Sequence, residues 1–424
     1  MQLEARIFYF KLRGALMKLM KVTEPEAVIE IIVKNFSSLD YEEVKLESAG
    51  SRFLAEMITA PEDVPGFDRS TVDGYAVAAR DTFGASESIP ALLENVGEVL
   101  MGQIAPPIKF GQCCLVHTGG MLPEGADSVL MVEDVDVSGN TVQAFRQVAP
   151  GENVIHRGED IKKGDPVFKK GHKLRAPEVG LLASLGITSI KVYRKPCIGF
   201  FSSGDELIDY HSKEVGPGQI RDSNAPALMH LASQFGADII YGGILPDRFE
   251  DFLGKSKKML EDTDLLVFSG GSSVGSRDFT AKTMQELGSP GLLVEGISIQ
   301  PGKPTLLANC GGKPVLGLPG HPVSALNIFA IFGKVIIDQL SGRAKADYMP
   351  TVKAVLTRNV ASKTGRTDYV RVKLDNGTDV PRAVPIFGRS GMLRTLAEAD
   401  GLLIIPSASE GLNAGEPVEV FIWD

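Results

Sequence analysis

Polar and apolar positions along this 424-residue chain change their period three times. The run AVIEIIVKNF (27–36) has a helical period. Thr23-Glu24-Pro25-Glu26 ahead of it predicts an N-cap at Thr23, a proline just inside the helix and an acidic first turn. From about 47 to 154 the texture becomes short β-branched runs broken by Gly, Pro and Asp, such as AEMITAPEDVPGFD, GQCCLVHTGG, DSVLMVEDVDV and NTVQAFRQV, which predict a β-rich domain with functional loops. Residues 155–190 combine the turn-rich GEDIKKGDPVFKKGHKL with a short helix in PEVGLLASLGI, expected to pack beside the first helix.

From 191 to about 340 the rhythm is strand, loop, helix. KPCIGFFSS, ADIIYGGIL, DLLVFSGG and KPVLGLPG read as strands, separated by the helices APALMHLASQFG, FEDFLGKSKKMLED and DFTAKTMQELG and followed by PVSALNIFAIFGKVIIDQL. That alternation predicts a parallel sheet with helices on both faces and a ligand at the carboxyl ends of its strands. Beyond Gly342 the β texture returns in MPTVKAVLTRNV, DYVRVKL, LLIIPS and EPVEVFIW, expected to form a small barrel or sandwich.

Composition narrows the partners. The net charge of −9 leaves no basic surplus for nucleic acid or anionic lipid. No run of eighteen uninterrupted apolar residues predicts a membrane span. Four cysteines without a CxxC or Cys/His cluster predict reduced, mostly buried thiols in a cytoplasmic protein. The opening MQLEARIFYFKLRGALMKLMK is apolar and basic but has no cleavage site. With Met17 and Met20 as alternative starts, residues 1–20 are expected to be an arm or an upstream extension.

The chemistry concentrates in loops at strand ends. Gly254-Lys255-Ser256 is a decoy for a nucleotide-binding loop, since Phe249 stands where the first glycine belongs and the segment is helical. SGGSSVGSRDF (269–279) matches neither dinucleotide nor P-loop fingerprints. Gly270 and Gly271 can still expose N–H groups to an anion, Ser272 and Ser273 add hydroxyls, and a helix is expected to begin near Asp278. A tight turn alone would need the same glycines. The loops Ser202-Ser203-Gly204-Asp205-Glu206, Gln219-Ile220-Arg221-Asp222-Ser223-Asn224 and Pro319-Gly320-His321-Pro322 leave the same sheet. Asp205, Glu206, Asp222 and Asp278 would then crowd an anion-binding rim, which suits a Mg²⁺ ion held between carboxylates and phosphates. For Asp222 or Asp278 alone, helix capping explains the residue equally well. His321 reads as a hydrogen-bonding loop residue more than as a general base.

Taken together, PGFDRSTVDGYAV (65–77), HTGGMLPEGADSVLMVED (117–134), GENVIHRGEDIKKGD (151–165), FFSSGDEL (200–207), GQIRDSN (218–224), SGGSSVGSRDFT (269–280), PGKPT (301–305), GLPGHPVSAL (317–326), GRTDYVRV (365–372) and GRSGMLRTLAEADGL (388–402) resemble, in order, the MoeA family of molybdopterin molybdenumtransferases, which includes the C-terminal part of gephyrin. The resemblance implies an α/β multidomain fold. A discontinuous domain would comprise 1–46 and 155–190, a β-rich insertion domain 47–154, a doubly wound molybdopterin-binding domain 191–342 and a C-terminal β-barrel 343–424. It also implies a homodimer with shared active sites, supplied by a molybdopterin adenylyltransferase. Adenylylated molybdopterin and molybdate would be the substrates, and a Mg²⁺-dependent reaction would release AMP.

Carried over by position, Asp73 and Thr118 would reach in from the partner subunit. Glu206, Asp222 and Asp278 would hold metal, water or pterin. Ser202, Gly204, Gly270, Gly271, Ser272, Pro319, Gly320, His321 and Pro322 would surround the substrate. Gln300 and Gly296 stand where well-known members carry basic residues, so Lys303, Arg277, Lys282 and Arg221 become candidates for holding the oxyanion. A paralogue inserting tungstate, and a scaffold without turnover, are the alternatives.

Overall fold

The chain is described by a computed structural model covering residues 22–246, 248–270, 274–344, 350–377 and 379–422, with the side chains of 274–278 outside that description. Helix α1 (Pro25–Asn35) has its proline at the first turn, but the capping position is Glu24, without a side-chain cap bond. Thr23 instead bridges to Ile297, and its N–H donates to the Gly296 carbonyl.

Strand β1 (Tyr41–Lys45) follows. The insertion domain contains β2 (Gly74–Val77), β3 (Ala91–Val99), β4 (Gln112–Val116), β5 (Ser128–Met131), β6 (Val135–Ser138) and β7 (Thr141–Ala144), one mixed sheet in the order β5-β2-β4-β3-β7-β6. Alternation along its strands loads both faces. Tyr75, Val77 and Cys113 enter one apolar cluster, and Ala76, Cys114 and Val116 the other. The adjacent cysteines therefore point apart. Cys113, Cys114 and Cys310 are free and buried, and burial pushes the Cys113 thiol up to about 12.

Helix α2 (Ala176–Ser184) and strand β8 (Ser189–Tyr193) close the discontinuous region. β8 pairs antiparallel with β1. The stretch 155–190 does not pack beside helix α1 as expected. Val28, Ile32 and Phe36 of the N-terminal segment enter the α/β core, because the apolar stripe of α1 finds a larger apolar surface there.

The α/β domain comprises β9 (Cys197–Ser203), α3 (Asn224–Gln234), β10 (Asp238–Leu245), α4 (Phe249–Asp262), β11 (Leu265–Gly270), α5 (Val274–Glu286), β12 (Pro290–Val294), β13 (Leu306–Cys310), β14 (Lys313–Leu318) and α6 (Pro322–Leu340). Its sheet runs β10-β9-β11-β14-β13-β12. The four expected strands are parallel. β13 and β12 extend the sheet antiparallel, so it is mixed rather than wholly parallel. Ile198, Phe200, Leu265 and Val267 face α1, α3 and α6, while Phe201, Leu266 and Phe268 face α4 and α5. This residue-by-residue alternation lets one sheet carry two helical layers.

Among the described residues, α6 alone is long and apolar enough to cross a membrane. It is buried in this core, and it widens to a π-turn at Phe329–Gly333. Helix α5 begins at Val274, four residues ahead of the expected start. Asp278 thus lies in its second turn and is not its cap.

The C-terminal strands β15 (Thr351–Leu356), β16 (Thr367–Asp375), β17 (Arg382–Pro385), β18 (Gly401–Ile405) and β19 (Pro417–Ile422) close into a five-stranded barrel, since β16 pairs with both β17 and β18. Between sandwich and barrel, the observed outcome is the barrel.

Gly270 ends β11 at φ +119°, and an added Cβ would lie 2.1 Å from the Ser203 carbonyl oxygen. Gly270→Ala is expected to lower the unfolding midpoint, losing about 2 kcal/mol or more through strain and overlap. Gly254 sits in mid-helix with nothing within 4 Å of an added Cβ. Gly254→Ala should gain about 0.5–1 kcal/mol. Urea unfolding of the two variants beside the wild type checks both.

Candidate active site

Three parallel strands end side by side, with Ser202 opposite Ser269, Ser203 opposite Gly270 and Leu318 opposite Ser269. After β9 the chain turns to β10 on one side and later returns to β11 on the other. The carboxyl ends of β9 and β11 thus flank the point where the winding reverses, which opens a crevice. A cleft of about 660 Å³ lies there, lined by Gly204, Glu206, Arg221, Asp222, Asn224, Ser269, Gly270, Gly320, His321 and Pro322.

Asp222 forms the floor and is 1% exposed. Its Oδ1 accepts the backbone N–H groups of Asn224 and Ala225, both at 3.1 Å. Its Oδ2 accepts the Ser202 hydroxyl at 2.5 Å and the Tyr241 hydroxyl at 3.0 Å. Four donors fill the four lone-pair positions of the carboxylate. Burial, and then the charge of Asp222, push the Tyr241 hydroxyl well above its ordinary range, which keeps it a donor.

Asn224 continues the network. Its Nδ2 donates to Ser269 Oγ and to the Gly320 carbonyl, both at 2.9 Å. The carbonyl can only accept, which fixes the amide orientation and leaves Oδ1 buried without a donor among the described residues. Glu206 is exposed and folds over Gly204, whose added Cβ would meet its carboxylate oxygen at 2.7 Å.

This donor set does not form a protein cage for Mg²⁺. Asp222 is saturated, Glu206 is the other carboxylate lining the cleft, and no cluster of three metal-ligating side chains occurs among the described residues. Gly271 and Ser272, and the side chains of Arg277 and Asp278, lie outside the described residues.

His321 stands at the seam between the α/β domain and the barrel, its Nδ1 3.0 Å from Ser390 Oγ. It also lines a second cavity of about 760 Å³, together with Gln300, Pro301, Arg371, Arg389 and Ser390. Arg371 is 7% exposed. Its Nη2 donates to the Gly388 carbonyl at 2.8 Å, while Nη1 is buried without a partner. Burial without a paired carboxylate lowers its pKa, a sign of a cation placed where an anion would be stabilising.

The candidate cations separate. Arg221 lines the cleft and donates to the carbonyls of Ser212 and Lys213. Lys282 lies over the Phe249 ring on the other face of the sheet, and Lys303 is exposed and lines neither cavity. Pro319 is buried, and Pro322 helps to line the cleft.

Asp73 and Thr118 do not line the cleft of their own chain. They pair with each other on the insertion domain, where Asp73 Oδ1 accepts the Thr118 N–H at 2.7 Å and its hydroxyl at 3.1 Å. Residues that sequence reasoning missed are Tyr241, Asn224, Ser269, Arg371 and Ser390. Asn224 stood within the quoted IRDSN, and Arg371 within DYVRV, but nothing local marks either as buried and underpartnered.

Residues 23–186 match the MoeA N-terminal region (domain I and II), residues 199–339 a "Probable molybdopterin binding domain", and residues 353–423 the MoeA C-terminal region (domain IV). The chain belongs to the MoeA family. A Methanocaldococcus jannaschii protein named for molybdopterin biosynthesis is 38% identical over 387 residues, 90% of this chain and 92% of its own. The Bacillus subtilis molybdopterin molybdenumtransferase is 32% identical over 386 residues, 89% of each chain. The crystal structure of a MoeA protein of molybdopterin biosynthesis from Pyrococcus horikoshii superposes with a TM-score of 0.78 at 37% identity, covering 95% of this chain and 100% of that one. The matched binding domain spans both walls of the cleft.

If Asp222 anchors the fold, Asp222→Ala should cost about 3 kcal/mol or more, because it strands four donors. Tyr241→Phe should cost about 1 kcal/mol. A wild-type unfolding midpoint for Asp222→Ala, with loss only of cation-dependent activity, would show a metal ligand instead.

Proposed function

We propose that this protein is a molybdenum insertase that takes adenylylated molybdopterin and molybdate to molybdenum cofactor and AMP. One observation carries the reading: the cleft at the switch point abuts, across His321, a cavity holding a buried, underpartnered arginine. A pyrophosphate-linked pterin needs N–H donors at strand ends and helix N-termini, and an oxyanion needs fixed positive charge close by. Relatives named molybdopterin molybdenumtransferases support the assignment of this reaction to the chain.

In this reading Gly270 at the end of β11 and the N-terminal end of α6 at Pro322 face the phosphates. Pro319 and Gly320 shape the wall, and His321 with Ser390 orients what lies between the two cavities. Arg371 and Arg389 supply the charge absent at Gln300 and Gly296. Hydrolysis adds water across the phosphoanhydride, giving AMP and the pterin phosphate. Molybdate then takes up the two dithiolene sulfurs, and one of its oxygens leaves as water with the two thiol protons. Magnesium dependence is an expectation from the family. The described carboxylates make no cage for it. Asp73 and Thr118, exposed and away from their own cleft, suit a homodimer in which each subunit completes its partner's site, supplied by the molybdopterin adenylyltransferase.

Gln300 in the oxyanion cavity favours a second reading, insertion of tungstate. Purified protein with adenylylated molybdopterin and Mg²⁺, supplied with molybdate or tungstate, should release AMP and form cofactor. No AMP with either oxyanion would sink both enzymatic readings in favour of a scaffold. Arg371→Gln should raise the oxyanion KM about tenfold or more while leaving the pterin KM nearly unchanged. Mixed Asp73→Ala and Asp278→Ala subunits should recover partial activity. Proven subunit exchange without recovery would exclude the shared site.

A further inference from the structure

His117 lies outside the cleft, and no role assigned above involves it. It follows β4, with its ring between carboxylates from two other elements. Nε2 is 2.7 Å from Glu98 Oε1 on β3, and Nδ1 is 3.8 Å from Asp73 Oδ1 ahead of β2. The register accounts for the placement. β3 shifts between Asn95 and Glu98 so that Glu98 comes opposite Leu115, putting Glu98, Leu115 and His117 on one side of the sheet. A neutral imidazole has one N–H. Aimed at Glu98, it would leave a lone pair facing the Asp73 anion. Only the imidazolium offers an N–H toward each carboxylate.

Asp73 Oδ1 is the oxygen that also takes both Thr118 donors. The Thr118 N–H, then its hydroxyl, then the His117 charge hold the Asp73 carboxyl below its usual range. The Cys114 thiol is a further titratable group beside this cluster. Its burial, and then Glu98, push it up, so it stays neutral.

We propose that His117 is a positioning residue whose ring, anchored on Glu98, holds the Asp73–Thr118 pair in its working geometry. The inference rests on the reading that Asp73 and Thr118 act on substrate.

The test measures kcat/KM for AMP release in wild type, His117→Asn, Glu98→Gln and the double variant, beside the NMR resonance of the Thr118 amide that donates to Asp73. His117→Asn should lose about tenfold or more in kcat/KM, with its unfolding midpoint unchanged. Glu98→Gln should lose in the same direction, and the double variant should lose no more than His117→Asn alone, because Glu98 acts through the ring. The Thr118 amide resonance should move in His117→Asn. An active wild type that His117→Asn matches in kcat/KM, or a Thr118 amide unmoved in that variant, overturns the proposal. A wild type releasing no AMP overturns the insertase reading and the positioning role with it. A Thr118 amide that moves in that case marks the failure as one of function and not of geometry.

Discussion

The buried carboxylate of Asp222 is the constraint on which the cleft depends. Through four acceptor positions it ties Ser202 at the end of β9, Tyr241 on β10, and the first two N–H groups of α3. Asn224, held in place by that capping, carries the connection to Ser269 on β11 and to the Gly320 carbonyl after β14. One polar chain thus links the four parallel strands, at or just beyond the carboxyl ends of β9, β11 and β14 and at mid-strand on β10. Burying a carboxylate costs several kcal/mol, and each charge-assisted hydrogen bond returns about 1.5–3 kcal/mol, so the arrangement is favourable only when fully donated. That requirement sets the loop positions more tightly than apolar packing could.

The same network decides the electrostatics. Asp222 consumes the first N–H groups of α3 and offsets the positive end of that helix. Among the described residues, the helix N-terminus that remains to attract an anion at the cleft is the start of α6. Positive charge for an oxyanion then has to come from the barrel side, where Arg371 is buried against a single carbonyl. The seam between sheet and barrel, marked by His321 and Ser390, is where these two fields meet.

The four parallel strands, the helices between them and the closing β domain were legible because each buries residues with its own period. Less legible were elements whose fate is settled by distant surfaces. Helix α1 has an apolar stripe that fits any apolar face, and only the tertiary fold reveals that this face is the α/β core. The strands PGLLV and LLANC are short and sit among glycines, so they left no periodic signal. Asp222 illustrates the limit for the site. Its dual reading as cap or metal ligand could not be resolved from IRDSN, because Tyr241 and Ser202, which saturate it, lie about twenty residues away on either side. Arg371 alternates with Val370 and Val372 like any outward residue of a strand. Its burial depends on the 386–391 loop, which no local pattern predicts.

What separates the two halves of the candidate machinery is the source of their rigidity. In the cleft, rigidity comes from burial and complete hydrogen bonding, which make the Asp222 network insensitive to solvent. On the insertion domain, Asp73, Thr118, His117 and Glu98 are half-exposed or more, so their order rests on charge and geometry that water and salt can weaken. A half-exposed cluster can hold a defined shape only if its charges alternate, as they do when His117 carries a proton between two carboxylates. An interface that excludes water would strengthen each of those contacts. The insertion-domain cluster is therefore expected to reach its working geometry when another protein surface covers it, whereas the cleft is already set in the isolated chain.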